Sequence, residues 1–417
     1  MSKSGNAIAF ICDSCGAEFD PRSPVTLCPK CGGLLELTYD LNGLKRSAHL
    51  FDEYVRDSIW RYRDFFPAVE DRNISTLGEG GSPLIKSAHL GQRYGIENLY
   101  FKYDGLMPTG SFKDRSFSLA VSYAKEIGVP RGLTYSTGNA ASSFSAYCSR
   151  INFPGMVVME DIASPVKKSM ALLYGGTAIE LRNECFAQVE TMLNKAVLEL
   201  GCHVFVNFIN PLRHEALKTY AYEVTGELGR VPDYSFHPTA TGGGIWGAWK
   251  GFNELANIGV TDRLPKMVGV QPESVCWLKR TIDSGGDYCH PYDDHTGTDA
   301  QSIDLSSPLQ GGRRQLKAVR DSGGMAMSVT EEEIRQAMKD LGREGISAEP
   351  ASASSVAAFK KAAEAGTIRS DETVVCSITG IALKQPAVLK SIFPKPEHSI
   401  NADIDELRAL MQKLGIL

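Results

Sequence analysis

The sequence predicts an α/β protein of parallel sheets covered by helices, with a small cysteine-bearing ribbon at its amino terminus. Three observations predict it. From about Gly78 onward, strand-like apolar stretches alternate with helix-length amphipathic ones. The 417 residues suffice for two domains of ordinary size and an appendage. Four of the ten cysteines crowd into two Cys-x-x-Cys pairs near the start.

The pairs, Cys12 with Cys15 and Cys28 with Cys31, are separated by twelve residues and followed by Gly16 and by Gly32-Gly33. Two such knuckles present four thiolates, the ligand set of a tetrahedral Zn²⁺ with no open position for a substrate. The ribbon, residues 1–40, is therefore expected to be structural. A packing module that keeps the cysteines with partial metal occupancy is the plainer alternative. The scattered Cys148, Cys185, Cys202, Cys276, Cys289 and Cys376 suit buried free thiols in a reducing compartment.

Strands are expected over Asn98 to Lys102, Gly132 to Tyr135, Gly155 to Met159, Thr177 to Leu181, His203 to Asn207 and Thr373 to Ile378. Helical periodicity marks Phe117 to Ile127, Gln188 to Leu200, Ile245 to Leu255 and Ile404 to Leu414. In such folds ligands gather where strand ends meet helix starts. The Gly-, Asp- and Ser-rich stretch from Asp283 to Arg314 is expected to be a loop over or near the site. Its Cys289-His290 and Asp293-Asp294-His295 group has no tetrahedral spacing and reads as a solvated acidic loop.

Composition narrows the function. A hydrophobic share of 43% and a charged share of 22% describe a globular protein, and a net charge of -5 leaves no positive surplus for a phosphate backbone. Nucleic acid is therefore not an expected partner. No apolar run is long enough for a secretory signal or a membrane span, so a cytoplasmic protein acting on small molecules is expected.

Four segments carry chemistry. Pro108-Thr-Gly-Ser-Phe-Lys113-Asp-Arg115 sets a lysine at a helix start, where the dipole and desolvation favour the neutral, nucleophilic amine. Ala240-Thr-Gly-Gly-Gly244 opens another helix with glycine amides that can cradle a phosphate, although a tight turn explains it as well. Ser136-Thr-Gly-Asn139 ends a strand with hydroxyls and an amide for an anion, or simply caps a helix. Thr379-Gly380 places a hydroxyl at a strand end. Together they supply what a pyridine aldehyde phosphate requires of its protein, and a threonine facing the pyridine nitrogen would hold it protonated less firmly than a carboxylate.

These motifs resemble those of threonine synthase, and more broadly of the pyridoxal-phosphate enzymes with the tryptophan-synthase-β-like fold. LGEGGSPL (Leu77 to Leu84), PTGSFKDR, STGNAASS (Ser136 to Ser143), GVQPE (Gly269 to Glu273), SAEPASASSVAA (Ser347 to Ala358) and TGIALKQP (Thr379 to Pro386) stand in family order. The ribbon followed by Trp60-Arg-Tyr62 is similar to the ribbon-bearing branch of that family.

The resemblance implies two open twisted α/β domains with the pyridoxal-phosphate site in the cleft between them: a large one of residues 41–125 and 223–417, and a smaller one of residues 126–222. It implies Lys113 as the Schiff-base lysine and catalytic amine, Phe112 against the ring, and Asn139 on the cofactor's 3-hydroxyl. Thr379 would face the pyridine nitrogen, and Thr241, Gly242, Gly243 and Gly244 would hold the phosphate. Ser136 and Thr137 would take the substrate carboxylate; Asn207, Asn210, Arg213 and Lys218 would grip a substrate phosphate. Arg213 paired with Glu215 or Glu223 is the bland alternative. The implied reaction is that of a lyase of amino-acid biosynthesis, turning O-phospho-L-homoserine and water into L-threonine and phosphate. The implied assembly is a homodimer.

The chain departs from the family pattern at Met107, Phe208, Ala240-Thr241 and Ile381-Ala382, all beside the site, which bears on the side chain accepted and not on the cofactor. A cysteate synthase acting on O-phosphoserine, or a threonine or serine dehydratase, is the alternative on the same scaffold. A non-catalytic module is disfavoured by intact Lys113, Asn139 and Thr379.

Overall fold

The computed structural model describes all residues except 1–4, 137, 161–164, 183–185, 207–208 and 293–294. The chain forms two compact units, Met1–Lys384 and Gln385–Leu417. In the first, β1 (Ala7–Cys12) pairs antiparallel with β2 (Glu18–Phe19) and β3 (Leu35–Tyr39) to form the ribbon. Gly16 and Gly32, at φ +68 and +71, turn the two cysteine knuckles.

Two sheets follow. The strands are β4 (Leu84–Lys86), β5 (Asn98–Tyr103), β6 (Gly132–Tyr135), β7 (Gly155–Glu160), β8 (Thr177–Leu181), β9 (His203–Val204), β10 (Tyr234–Pro238), β11 (Lys266–Pro272), β12 (Met325–Val329) and β13 (Thr373–Ile378). One sheet runs β12-β11-β10-β13-β5-β4, parallel but for β4; the other, β8-β7-β6-β9, is parallel throughout. The six-stranded sheet thus takes strands from either side of the four-stranded one in the chain.

β13, Thr-Val-Val-Cys-Ser-Ile, is buried along its whole length between β10 and β5. A near-continuous apolar run is what a parallel strand covered on both faces demands. β9 is shorter than the expected His203 to Asn207: only His203 and Val204 pair with β6, although the Phe205 N–H still donates to the Leu133 carbonyl at 2.8 Å. Residue 207 lies outside the described residues.

The helix expected from Phe117 begins at Lys113 and runs to Glu126. Periodicity missed its first turn because Asp114, Arg115 and Ser116 are polar yet buried. Asp114 accepts from the Thr109 N–H (2.7 Å), the Thr109 hydroxyl (2.6 Å) and the Ser143 hydroxyl (2.6 Å). Arg115 sits between Asp104 and Glu223, with Lys102 2.7 Å from Glu223. Those cations hold the Glu223 carboxyl down to about 2 against the opposing effect of burial. In the second unit, the Asp403 side chain caps the helix Ile404–Lys413 by accepting from the Asp405 and Glu406 N–H groups. Among the described residues, no helix is long and apolar enough to cross a membrane.

Candidate active site

Three neighbouring parallel strands, β10, β13 and β5, bring together groups that lie far apart in the chain. Past the end of β5, a short turn leads to Lys113, the first residue of the helix Lys113–Glu126. Past β10, Ala240 to Gly244 open the helix Gly243–Asn257; past β13 comes Thr379. The Phe112 N–H donates to the Thr379 carbonyl at 2.9 Å and Ser111 bridges Gly380, so the start of the Lys113 helix is fastened to the end of β13. This is the carboxyl-end edge at which open α/β sheets bind ligands.

The groups line a cavity of about 210 Å³ with Ser136, Asn139, Arg213, Glu349 and the stretch Gln301 to Leu305. Lys113 Nζ stands 4.1 Å from the Phe112 ring centroid. Burial holds its amine well below the ordinary lysine range, the Arg213 charge pushes the same way, and Glu349 opposes. Asn139, first residue of the helix Asn139–Arg150, donates from Nδ2 to Glu349 at 3.0 and 3.2 Å. The Thr379 hydroxyl meets Ser352 Oγ at 2.9 Å, and Ser352 Oγ in turn accepts from the Gly380 N–H at 2.8 Å. Ser136 Oγ accepts from the Gly138 N–H at 3.2 Å.

Two glycines are needed here for space. Gly242 has φ +85 and a Cβ there would fall 2.2 Å from Gln315; a Cβ on Gly380 would fall 2.7 Å from the Glu349 carboxylate. Gly244 leaves an open approach, since its Cβ would meet only Phe112, at 3.7 Å. An amide cradle at the start of a 15-residue helix, an amine whose basicity burial lowers and a strand-end hydroxyl around one cavity fit an anionic aromatic aldehyde.

Arg213, in the helix Leu212–Leu217, is almost wholly buried; its Nη1 donates to the Phe205 carbonyl at 3.0 Å and its guanidinium lies 4.4 Å from the Phe117 ring centroid. Burial lowers it to about 9. Glu215 and Glu223 are taken up by Lys218, Lys250, Lys102 and Arg115. The other residues expected around the substrate phosphate divide. Asn210 is turned inward, accepting from the Leu212 N–H at 3.0 Å and meeting His203 Nε2 at 3.0 Å. Lys218 lies between Glu215 and Glu254, each at 3.0 Å, over the Tyr39 ring. Neither lines the cavity. Two acidic partners on the faces of adjacent helices outbid a solvent-filled pocket for that ammonium. Thr137, Asn207 and Phe208 lie outside the described residues.

Sequence reasoning missed Glu349 and Ser352, whereas the Gln301 to Leu305 wall falls within the Asp283 to Arg314 stretch expected over or near the site. Glu349 and Ser352 stand inside SAEPASASSVAA, where an acid just before the helix Pro350–Glu364 was the available signal. In the ribbon, the sulfurs of Cys12, Cys15, Cys28 and Cys31 all lie within 4.8 Å of one another, the one such metal-competent group among the described residues.

A profile of the family described as pyridoxal-phosphate dependent enzyme matches residues 75–380. The threonine synthase of Methanosarcina acetivorans is 37% identical over 405 residues, 95% of this chain and 97% of its own. The chain belongs to the threonine synthase family of pyridoxal-phosphate dependent enzymes. The threonine synthase of Methanocaldococcus jannaschii is 36% identical across 97% of this chain and 99% of its own length. Among solved structures, maize serine racemase superposes with a TM-score of 0.62 at 20% identity, covering 75% of this chain and 92% of that one. That likeness establishes the fold alone. The sequence-based assignment to this family and to its α/β fold therefore holds.

Proposed function

We propose that this chain carries out the threonine synthase reaction, converting O-phospho-L-homoserine and water to L-threonine and inorganic phosphate. One observation carries the reading: an amine of lowered basicity, Lys113, and a buried guanidinium, Arg213, line the same cavity. Pyridoxal phosphate, when bound, supplies an electron-withdrawing ring that makes the substrate's Cα and Cβ protons removable. Lys113 would hold it, and its Nζ would take one proton from Cα and one from Cβ as phosphate leaves Cγ, then return one to Cγ and one to Cα as water adds at Cβ, a shuttle to which the lowered basicity of a desolvated amine is suited.

Thr241 and Gly242 to Gly244 would bind the cofactor phosphate, Asn139 its 3-hydroxyl, and Thr379 would face the ring nitrogen. A hydroxyl there leaves the nitrogen less firmly protonated than a carboxylate, which favours chemistry at Cβ and Cγ. Ser136 and Thr137 would take the substrate carboxylate. Arg213 would bind the substrate phosphate, where a planar fork of donors matches two oxygens at once. Asn210 and Lys218 would act behind it, by holding its helix.

The ribbon is proposed to hold a structural Zn²⁺. Zinc–sulfur bonds of about 2.3 Å space tetrahedral sulfurs roughly 3.8 Å apart; Cys12 and Cys31 stand at 3.5 Å and Cys15 and Cys28 at 3.7 Å. Metal analysis should give one zinc per chain, and none would remove the proposal. A cytoplasmic homodimer is proposed on the family likeness and on the free thiols, and light scattering tests the dimer.

The deciding experiment offers O-phosphohomoserine and O-phosphoserine separately and follows phosphate and amino-acid product. Threonine and phosphate from the first alone are expected. Turnover of the second with silence on the first would replace this reading with a cysteate-synthase-like one.

A further inference from the structure

The segment that follows the cavity-lining Gln301 to Leu305 grips the ribbon at both of its knuckles. Gln310 donates from Nε2 to the Gly32 carbonyl at 3.3 Å, next to Cys31. It does so from φ +49, a conformation that residues other than glycine rarely adopt. Four residues on, Arg314 donates from Nε to Asp13 at 2.8 Å, between Cys12 and Cys15. Its Nη2 donates to the Leu35 carbonyl at 2.8 Å and lies 3.2 Å from Glu36, both on β3.

The same guanidinium reaches the helix that carries Arg213. Its Nη1 stands 3.1 Å from the ring of His214, the neighbour of Arg213. The next residue, Gln315, donates from Nε2 to the Ala240 carbonyl at 3.3 Å and packs on Gly242 where no Cβ would fit. Glu36 of the ribbon also accepts from Trp246 Nε1 at 2.9 Å and pairs with Lys250, both on the helix that the glycine cradle opens. Ribbon, the Arg213 helix and, at 5.4 Å from the Trp246 ring, the helix that the cradle opens therefore meet on one side chain that is 6% exposed, while its neighbour Gln315 touches the cradle itself.

We propose that the ribbon is a clamp on the phosphate cradle, with Arg314 the positioning residue through which it acts. The inference rests on assigning residues 241–244 to the cofactor phosphate, and it gives the ribbon a task that the reaction itself does not require. A planar guanidinium can hold several acceptors in fixed directions, which a flexible ammonium cannot. Breaking its ribbon-side bonds leaves a buried cation short of partners, and the adjacent Gln315 then loses the register that presses on Gly242. Backbone amides bind a dianion well only when they already point at it, so a loosened cradle binds less tightly.

The test measures cofactor dissociation constants from the visible absorbance of the bound cofactor in the full-length protein. Arg314→Met is expected to weaken binding about tenfold or more, within the usual range of coupling between two sites. Arg314→Lys should recover part of it. Asp13→Asn, on the ribbon side of the same bond, should weaken binding alone and add nothing when combined with Arg314→Met. Wild-type affinity in Arg314→Met, or effects of the two changes that multiply as at independent sites, would overturn the clamp. If Arg314→Met does not fold, Asp13→Asn and Gln310→Ala carry the same expectation, and wild-type affinity in both overturns it. Gly242→Ala separates the two layers: unchanged affinity there sinks the cradle assignment, whereas weakened affinity beside an unmoved Arg314→Met sinks only the clamp.

Discussion

The six-stranded and four-stranded sheets belong to one compact unit and are built to different standards. Every residue of β13 is buried, and β10 and β11 are nearly so, whereas β8 closes the other sheet as an edge of exposed and half-buried residues. Lys113, the glycine cradle and Thr379 follow strands of the first sheet; Ser136 and Asn139 follow β6 of the second. The groups assigned to cofactor phosphate, ring nitrogen and amine thus hang on a frame packed on both faces. The proposed carboxylate group follows β6, itself buried, in the sheet whose edge β8 is exposed.

That contrast can be broken in several ways. The largest effect is expected from Lys113→Ala, which should cut turnover on the order of 10⁴-fold, the upper range for a positioned proton carrier. Loss of the bound cofactor's visible absorbance should accompany it. Near-normal turnover would detach the chemistry from the six-stranded frame altogether. Next comes Phe236→Ala on β10, a fully buried ring, expected to cost about 3–5 kcal/mol in urea denaturation.

Arg213→Ala should raise KM for the phosphorylated substrate about 10- to 100-fold, the equivalent of a charged hydrogen bond of roughly 1.5–3 kcal/mol. Turnover number should move less, and Arg213→Lys should restore part of the affinity. An unchanged KM would remove Arg213 from the phosphate. The Glu223 carboxyl, held down to about 2 from 4.5, contributes stability that is fully present above its unfolded value and is lost as pH falls from there toward 2. Denaturation midpoints across that window should decline in the parent protein and flatten in Glu223→Gln. Smallest of all, Ile179→Ala on the half-exposed β8 should cost under about 1 kcal/mol. If it matched Phe236→Ala, the two sheets would not differ in the way described.

Much of this was legible beforehand. Gly132 to Tyr135, Thr177 to Leu181 and Thr373 to Ile378 are strands with the bounds that apolar runs between turn signals suggested. Lys113, Asn139, Thr379 and the glycine run, which line one cavity, could be singled out because each sits at a strand-to-helix junction, where local motif and fold agree. Glu349 was missed because its partner, Asn139, is 210 residues away. Lys218 was placed by likeness at a phosphate, yet lies between Glu215 and Glu254. No local pattern tells a lysine which of several carboxylates will be nearest once helices pack.

By itself, then, the sequence determined the alternation of strands and helices, the two cysteine knuckles and the motifs that chemistry needs, because these depend on spacing along a few residues. Tertiary structure decided that β10, β13 and β5 stand side by side, that Arg213 faces the cavity while Lys218 does not, and that Arg314 joins the ribbon to the Arg213 helix. The physical reason is that burial removes water as a partner. Each polar group must then find its match among whatever distant residues the packing delivers, and that choice is made in space and not along the chain.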